Sequence, residues 1–159
     1  MKTRIVSRTA MFAALALGMI GTTVATAAPR CQSLAEIRAM QMRQFQIDLM
    51  VATLKCDGGG DFRTPYATFM RHVHPLMAGN ARTLRAMFAR RGQRPGALDH
   101  YLTRLSNQAQ LASGQTADFC GAQAHLMTEA AALPTPRLPR LAADVVGIPF
   151  DSHACSARR

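Results

Sequence analysis

From residue 33 onward the apolar positions of this chain recur at helical spacing in four successive stretches, each bounded by residues that start or stop helices. Ser33-Leu34-Ala35-Glu36 reads as a capping box: the serine hydroxyl accepts from the third helical N–H, and the glutamate reaches back to the serine N–H. Behind it Ile37, Met40, Ile47, Val51 and Leu54 fall on one face, Phe45 and Leu49 widen that face, and Gln44 interrupts it. Cys56 and the run Gly58-Gly59-Gly60 end this first helix, because glycine supplies the left-handed cap and its freedom disfavours continuation.

Thr64-Pro65 predicts the second start, with threonine as N-cap and proline at the first helical position, where its missing N–H costs nothing. Tyr66, Phe69, Met70 and Val73 form its buried side. Pro75 predicts a kink or a short break at His74-Pro75, after which Leu84, Met87 and Phe88 carry the helix to Gly92. A third helix is expected over 97–112, with Leu98, Tyr101, Leu102, Leu105 and Ala109 on one side and Ser113-Gly114 as its stop. A fourth is expected over 116–133, with Phe119, Ala122, Leu126, Met127 and Ala130 facing in and Pro134 ending it. Four prolines then make a long regular helix improbable across 134–159, although 141–146 has room for a short helical turn. There is no internal repeat and no alternating strand pattern. The fold class expected is therefore all-α: a four-helix, bundle-like domain over 28–133, its second helix kinked at Pro75, followed by a Pro-rich tail.

The residues before this pattern have a different logic. Lys2, Arg4 and Arg8 precede an apolar stretch over 10–20, and small residues end at Ala25-Thr26-Ala27. That order is a secretory signal peptide over 1–27, with cleavage before Ala28. The apolar stretch is about half the ~20 residues that span a bilayer, so no permanent anchor is expected. Ala28-Pro29-Arg30 before Cys31 is not a lipoprotein box. A soluble periplasmic or secreted protein is the expectation, and removing 27 of 159 residues leaves 132, enough for one cored domain.

Export changes how the four cysteines read. An even number in an oxidising compartment argues for two disulfides, and no two stand at the close spacing of zinc fingers. With helices running up, down, up and down, Cys31 and Cys155 lie at one end, and Cys56 and Cys120 at the other. A first helix of roughly 22 residues is about 33 Å long, far beyond the ~7 Å that a disulfide tolerates between Cα atoms. The pairing predicted is Cys31–Cys155 and Cys56–Cys120, of the three that four cysteines allow.

Three segments carry a likeness: Leu49-Met50-Val51-Ala52-Thr53-Leu54-Lys55-Cys56, then Leu98-Asp99-His100-Tyr101-Leu102-Thr103-Arg104-Leu105-Ser106-Asn107, then Phe119-Cys120. The pattern resembles a group of short exported proteobacterial proteins of unassigned function, over residues 31–133. The resemblance implies the helical fold and carries no functional residue.

Candidate chemistry is sparse. The chain has no Gly-x-Ser-x-Gly elbow, no His-Glu-x-x-His helix and no phosphate loop. Asp99 and His100 are adjacent, hence about 100° apart on a helix, and His125 with Glu129 at i, i+4 is an ordinary surface pair. The expectation is a non-catalytic protein without a cofactor. The alternative is copper: Met70, His74 and Met77 recur at i, i+4 and i+7, and thioethers with imidazole suit Cu(I). Methionine at that spacing is also ordinary core filler.

Charge points elsewhere. The formal +10 of the chain falls to +7 once Lys2, Arg4 and Arg8 are removed, and Lys55 is then the one lysine left. Arg82, Arg85, Arg90, Arg91 and Arg94 crowd the end of the second helix with few acids nearby. Guanidinium forks bind carboxylates and phosphates, so this cluster is the candidate docking site for an anionic envelope component or an acidic protein. Nucleic acid is not expected, given the compartment and a chain with no tryptophan and two tyrosines.

Overall fold

The computed structural model describes residues 31–155; the signal-peptide reading of 1–27 and its cleavage site lie outside them. The chain forms α1 (Leu34–Lys55), α2 (Arg63–Arg90), α3 (Ala97–Gln115) and α4 (Phe119–Ala132), then a 3-10 turn (Thr135–Arg137) that leads directly into α5 (Leu138–Val146). The fold is all-α and bundle-like.

The capping box forms as read. Ser33 N–H donates to Glu36 Oε2 at 2.8 Å, and Glu36 N–H to Ser33 Oγ at 3.3 Å. The helix that follows is apolar on more than one side. On one, Met42, Phe45, Leu49 and Ala52 join Phe69 and Val73 of α2, Met127 and Ala130 of α4, and Leu138 and Ala142 of α5. On the other, Met40, Ile47 and Val51 join Leu84, Met87 and Phe88 of α2 and Leu98, Tyr101 and Leu105 of α3. α1 is thus the central helix between two cores, each with an aromatic pair: Phe45 edge-on to Phe69 at 5.7 Å, and Phe88 tilted on Tyr101 at 5.5 Å. The single stripe expected from sequence is split between them, and Leu54, assigned to it, is 70 % exposed.

Several boundaries differ from the sequence reading for identifiable reasons. α2 starts one residue before Thr64, and the capping acceptor is the Asp61 carboxylate, which takes the Thr64 N–H at 3.0 Å. Thr64 is therefore not the N-cap. α2 runs unbroken through Pro75, so there is no break at His74-Pro75. α3 passes Ser113-Gly114 to Gln115, because buried Ser113 donates to the Gln110 carbonyl at 2.7 Å and accepts from Lys55 Nζ at 3.0 Å. That tertiary contact overrides the local stop. α4 accordingly starts at Phe119 instead of 116.

The tail holds the short helix expected near 141–146, longer at its start. α5 begins at Leu138, three residues before the turn expected, with a proline in its first turn, where helices accept one. Leu138 and Ala142 are fully buried, so residues 134–155 belong to the same core as 31–133. Polar contacts strap the rest along the bundle. Gln41 Nε2 donates to the Gly147 carbonyl at 2.7 Å, Phe150 N–H to Gln44 Oε1 at 2.9 Å, and Arg104 pairs with Asp151 at 2.8 Å. Gln32 N–H then donates to the His153 carbonyl at 2.7 Å, and Cys155 N–H to the Gln32 carbonyl at 2.9 Å, zipping the tail to the segment before α1.

Both disulfides have the predicted partners. Cys31–Cys155 has a Cα separation of 4.9 Å and Cys56–Cys120 one of 5.6 Å. Two disulfides fit an oxidising compartment outside the cytoplasm. Among the described residues no helix is long and apolar enough to cross a membrane.

Candidate functional site

The arginine cluster is built by the turn between α2 and α3. Arg82 and Arg85 stand exposed on the last turns of α2, and Arg91 caps it. The chain then reverses through Gly92 and Gly96, whose φ values of +71° and +91° lie in the left-handed region that favours glycine. Arg94 projects from that turn. Arg85, Gln93, Arg94 and Asp99 line an open groove of about 380 Å³, floored by Phe88 and Leu98. Among the described residues no acid pairs with Arg82, Arg85, Arg91 or Arg94.

Arg90 separates from the group. Its guanidinium donates to both carboxylate oxygens of Glu36 at 2.7 Å and to the Cys31 carbonyl at 3.3 Å. It ties the end of α2 to the start of α1 beside the Cys31–Cys155 bond, so its role is structural. Burial pushes the Glu36 carboxyl up, but the bonds from Arg90 and Ser33 outweigh it and hold the group below its ordinary value.

A residue that the sequence did not bring forward extends the cluster. Arg43 of α1 is half-buried and donates to two neutral acceptors, Asn80 Oδ1 at 3.2 Å and Gln46 Oε1 at 3.5 Å. Burial and the nearby Arg85 guanidinium both hold its pKa below the ordinary value. Two like charges face each other here, which an anion would relieve. Arg43 lies among other polar residues of α1, Gln41, Gln44 and Gln46, so nothing in the sequence singles it out, and only the tertiary fold shows that Arg85 is near.

The copper residues fare differently. Met70 and Met77 pack against the α1–α2–α4–α5 core, whereas His74 is exposed. Sequence spacing places the three on one helical face, and packing engages the two thioethers as apolar filler. Among the described residues no three His, Cys, Asp or Glu side chains come together to hold a metal ion. His125 and Glu129 are both exposed, as are Asp99 and His100.

A second site lies between α1, α3, α4 and α5. There a pocket of about 230 Å³ is walled by Leu105, Ala109, Phe119, Leu126 and Val145, with Gln44, Asp48, Gln108, Thr116 and Gln123 as its polar residues. Burial pushes the Asp48 carboxyl up to about 7. No sequence motif marks Asp48, and only the fold shows that its carboxyl meets the pocket.

Comparison with protein-family models, with curated proteins and with solved structures finds no match for this chain.

Proposed function

We propose that this is an exported, non-catalytic helical binding protein whose basic end, at the α2–α3 turn, docks an anionic envelope component. The observation that carries this reading is the concentration of unneutralised guanidinium groups there: Arg82, Arg85, Arg91 and Arg94 with no ion-pair partner among the described residues, and Arg43 held against Arg85 by neutral acceptors. Such charge in water costs the fold little and raises the association rate of a partner of opposite sign. Bidentate forks suit phosphate and carboxylate oxygens, and the groove brings Arg85 and Arg94 onto one surface. Export is supported by the charged, apolar and small-residue order of the first 27 residues and by the two disulfides.

The test is co-sedimentation with vesicles containing phosphatidylglycerol, against vesicles of phosphatidylcholine alone. The protein is expected to bind the anionic vesicles, to release as salt shortens the screening length, and to lose binding when Arg82, Arg85, Arg91 and Arg94 become glutamine. Arg90 stays in place in that variant because it holds α1 to α2. Equal binding by wild type and variant sinks the docking claim. Intact mass of protein recovered from the exported fraction checks the compartment: a chain starting at Ala28 is expected, and one retaining residues 1–27 contradicts it.

A further inference from the structure

The pocket between α1, α3, α4 and α5 is independent of the basic end and calls for a different ligand. Its walls are mainly apolar, with Leu105 and Ala109 from α3, Phe119 and Leu126 from α4 and Val145 from α5, and Gln108 and Thr116 add polar atoms. Against these α1 sets one carboxyl, Asp48, which no hydrogen bond or ion pair reaches among the described residues. A half-buried carboxyl without a partner is still costly when charged, and proteins seldom keep one in a largely apolar wall without use. A second acceptor comes from the α4 wall, since Gln123 Oε1 is buried and accepts no hydrogen bond among the described residues. Among the described residues no cationic side chain lines the pocket; Lys55 Nζ lies 5.9 Å from the centre of the Phe119 ring and donates to Ser113 Oγ. The cavity thus offers, among the described residues, a carboxyl and a buried amide oxygen that no group bonds, the first able to carry a negative charge, and no cation in its lining.

We propose that this pocket binds a small amphiphilic amine, its ammonium group donating to Asp48 and Gln123 and its hydrocarbon part lying between α3 and α4. An ammonium brings three N–H donors and the opposite charge, which satisfies both acceptors at once. The apolar part replaces water along Leu105, Ala109 and Leu126, a favourable exchange in proportion to the area covered. A carboxylate ligand of the same length gains the apolar contact but meets two acceptors and a like charge. An alcohol gains the contact and can donate only once. The amine, the alcohol and the acid should therefore bind in that order, the reverse of the preference at the basic end.

The test is calorimetric titration of the full exported chain at pH 8 with octylamine, octanol and octanoate. Octylamine is expected to bind at least about tenfold more tightly than octanoate, a gap of one charge-assisted contact. Asp48→Asn is expected to bring octylamine down to the affinity of octanol while leaving octanol unchanged. Ala112→Phe, a substitution at the exposed rim, should block all three and guards against failure of the Asp48 variant to fold. Octanoate binding as tightly as octylamine, an Asp48→Asn variant that keeps the full amine affinity, an Ala112→Phe variant that binds as wild type, or no binding of octylamine would each overturn the proposal. None of these results bears on vesicle binding by the arginines, so the two sites fail or stand separately.

Discussion

The basic end and the Asp48 pocket hold charge in opposite ways. At the α2–α3 turn several guanidinium groups stand in water, where solvent screens their repulsion and each keeps its charge at little cost to the fold. In the pocket a single carboxyl sits among leucine, alanine, phenylalanine and valine, and burial alone moves its pKa to about 7. The number of charges is therefore a poor guide to where electrostatics matters. What decides is the medium around each one and whether a partner has been supplied. The same rule separates the arginines from one another: Arg90, half-buried and bonded to Glu36, is part of the fold, while Arg94 is available to a partner.

The largest effect that sharpens this contrast is the pH dependence of stability. The Asp48 pKa is raised on folding, so between about pH 4 and pH 7 the folded state holds a proton that the unfolded state has released. Stability contributed by this group is present at low pH and falls as pH rises through that window, reaching a loss of about 2–4 kcal/mol by pH 8. Asp48→Asn removes that component. Urea unfolding of both proteins at several pH values should show a wild-type stability that drops relative to the variant by this amount, and parallel curves would contradict the burial of the carboxyl.

Next comes the Cys56–Cys120 bond, which pins the first turn of α4 to the end of α1 and so fixes one wall of the pocket. Replacing both cysteines by serine is expected to cost about 2–4 kcal/mol and to weaken octylamine binding, with vesicle binding retained. Arg90→Gln follows, at about 1.5–3 kcal/mol, because it leaves the Glu36 carboxylate without its charged partner. Glu36 should then titrate at higher pH, a shift that NMR of its side chain reads directly. Arg94→Gln should change stability by less than about 0.5 kcal/mol while lowering affinity for anionic vesicles. If Arg90→Gln and Arg94→Gln cost the same, the division of the cluster into structural and available arginines is wrong.

The features legible in the sequence were those set by local chemistry. The capping box at Ser33, the order of the four main helices and, through helix length, both disulfide pairings follow from residues close in sequence and from 1.5 Å per residue. The errors have a common cause, which is packing between distant elements. Ser113-Gly114 looks like a stop, but Lys55 and the Gln110 carbonyl hold Ser113 inside α3. The prolines of the tail argue against a long helix, but Leu138 and Ala142 find a core that only the assembled bundle creates. α1 misleads in a further way: a helix buried on several sides has no single stripe, so a search for one finds only part of its core. The arginine cluster was visible as composition, whereas the loss of Arg90 to Glu36 and the gain of Arg43 needed the fold. Asp48 carries no motif at all, and its importance comes from what surrounds it.

The central claim, docking of an anionic surface by the basic end, is tested most directly by locating the contact. Isotope-labelled protein titrated with small bicelles containing phosphatidylglycerol should show amide shift changes concentrated at residues 82–99 and at Arg43, fading as salt is added. Changes centred on residues 105–126, or an unaltered spectrum at low salt, would contradict it.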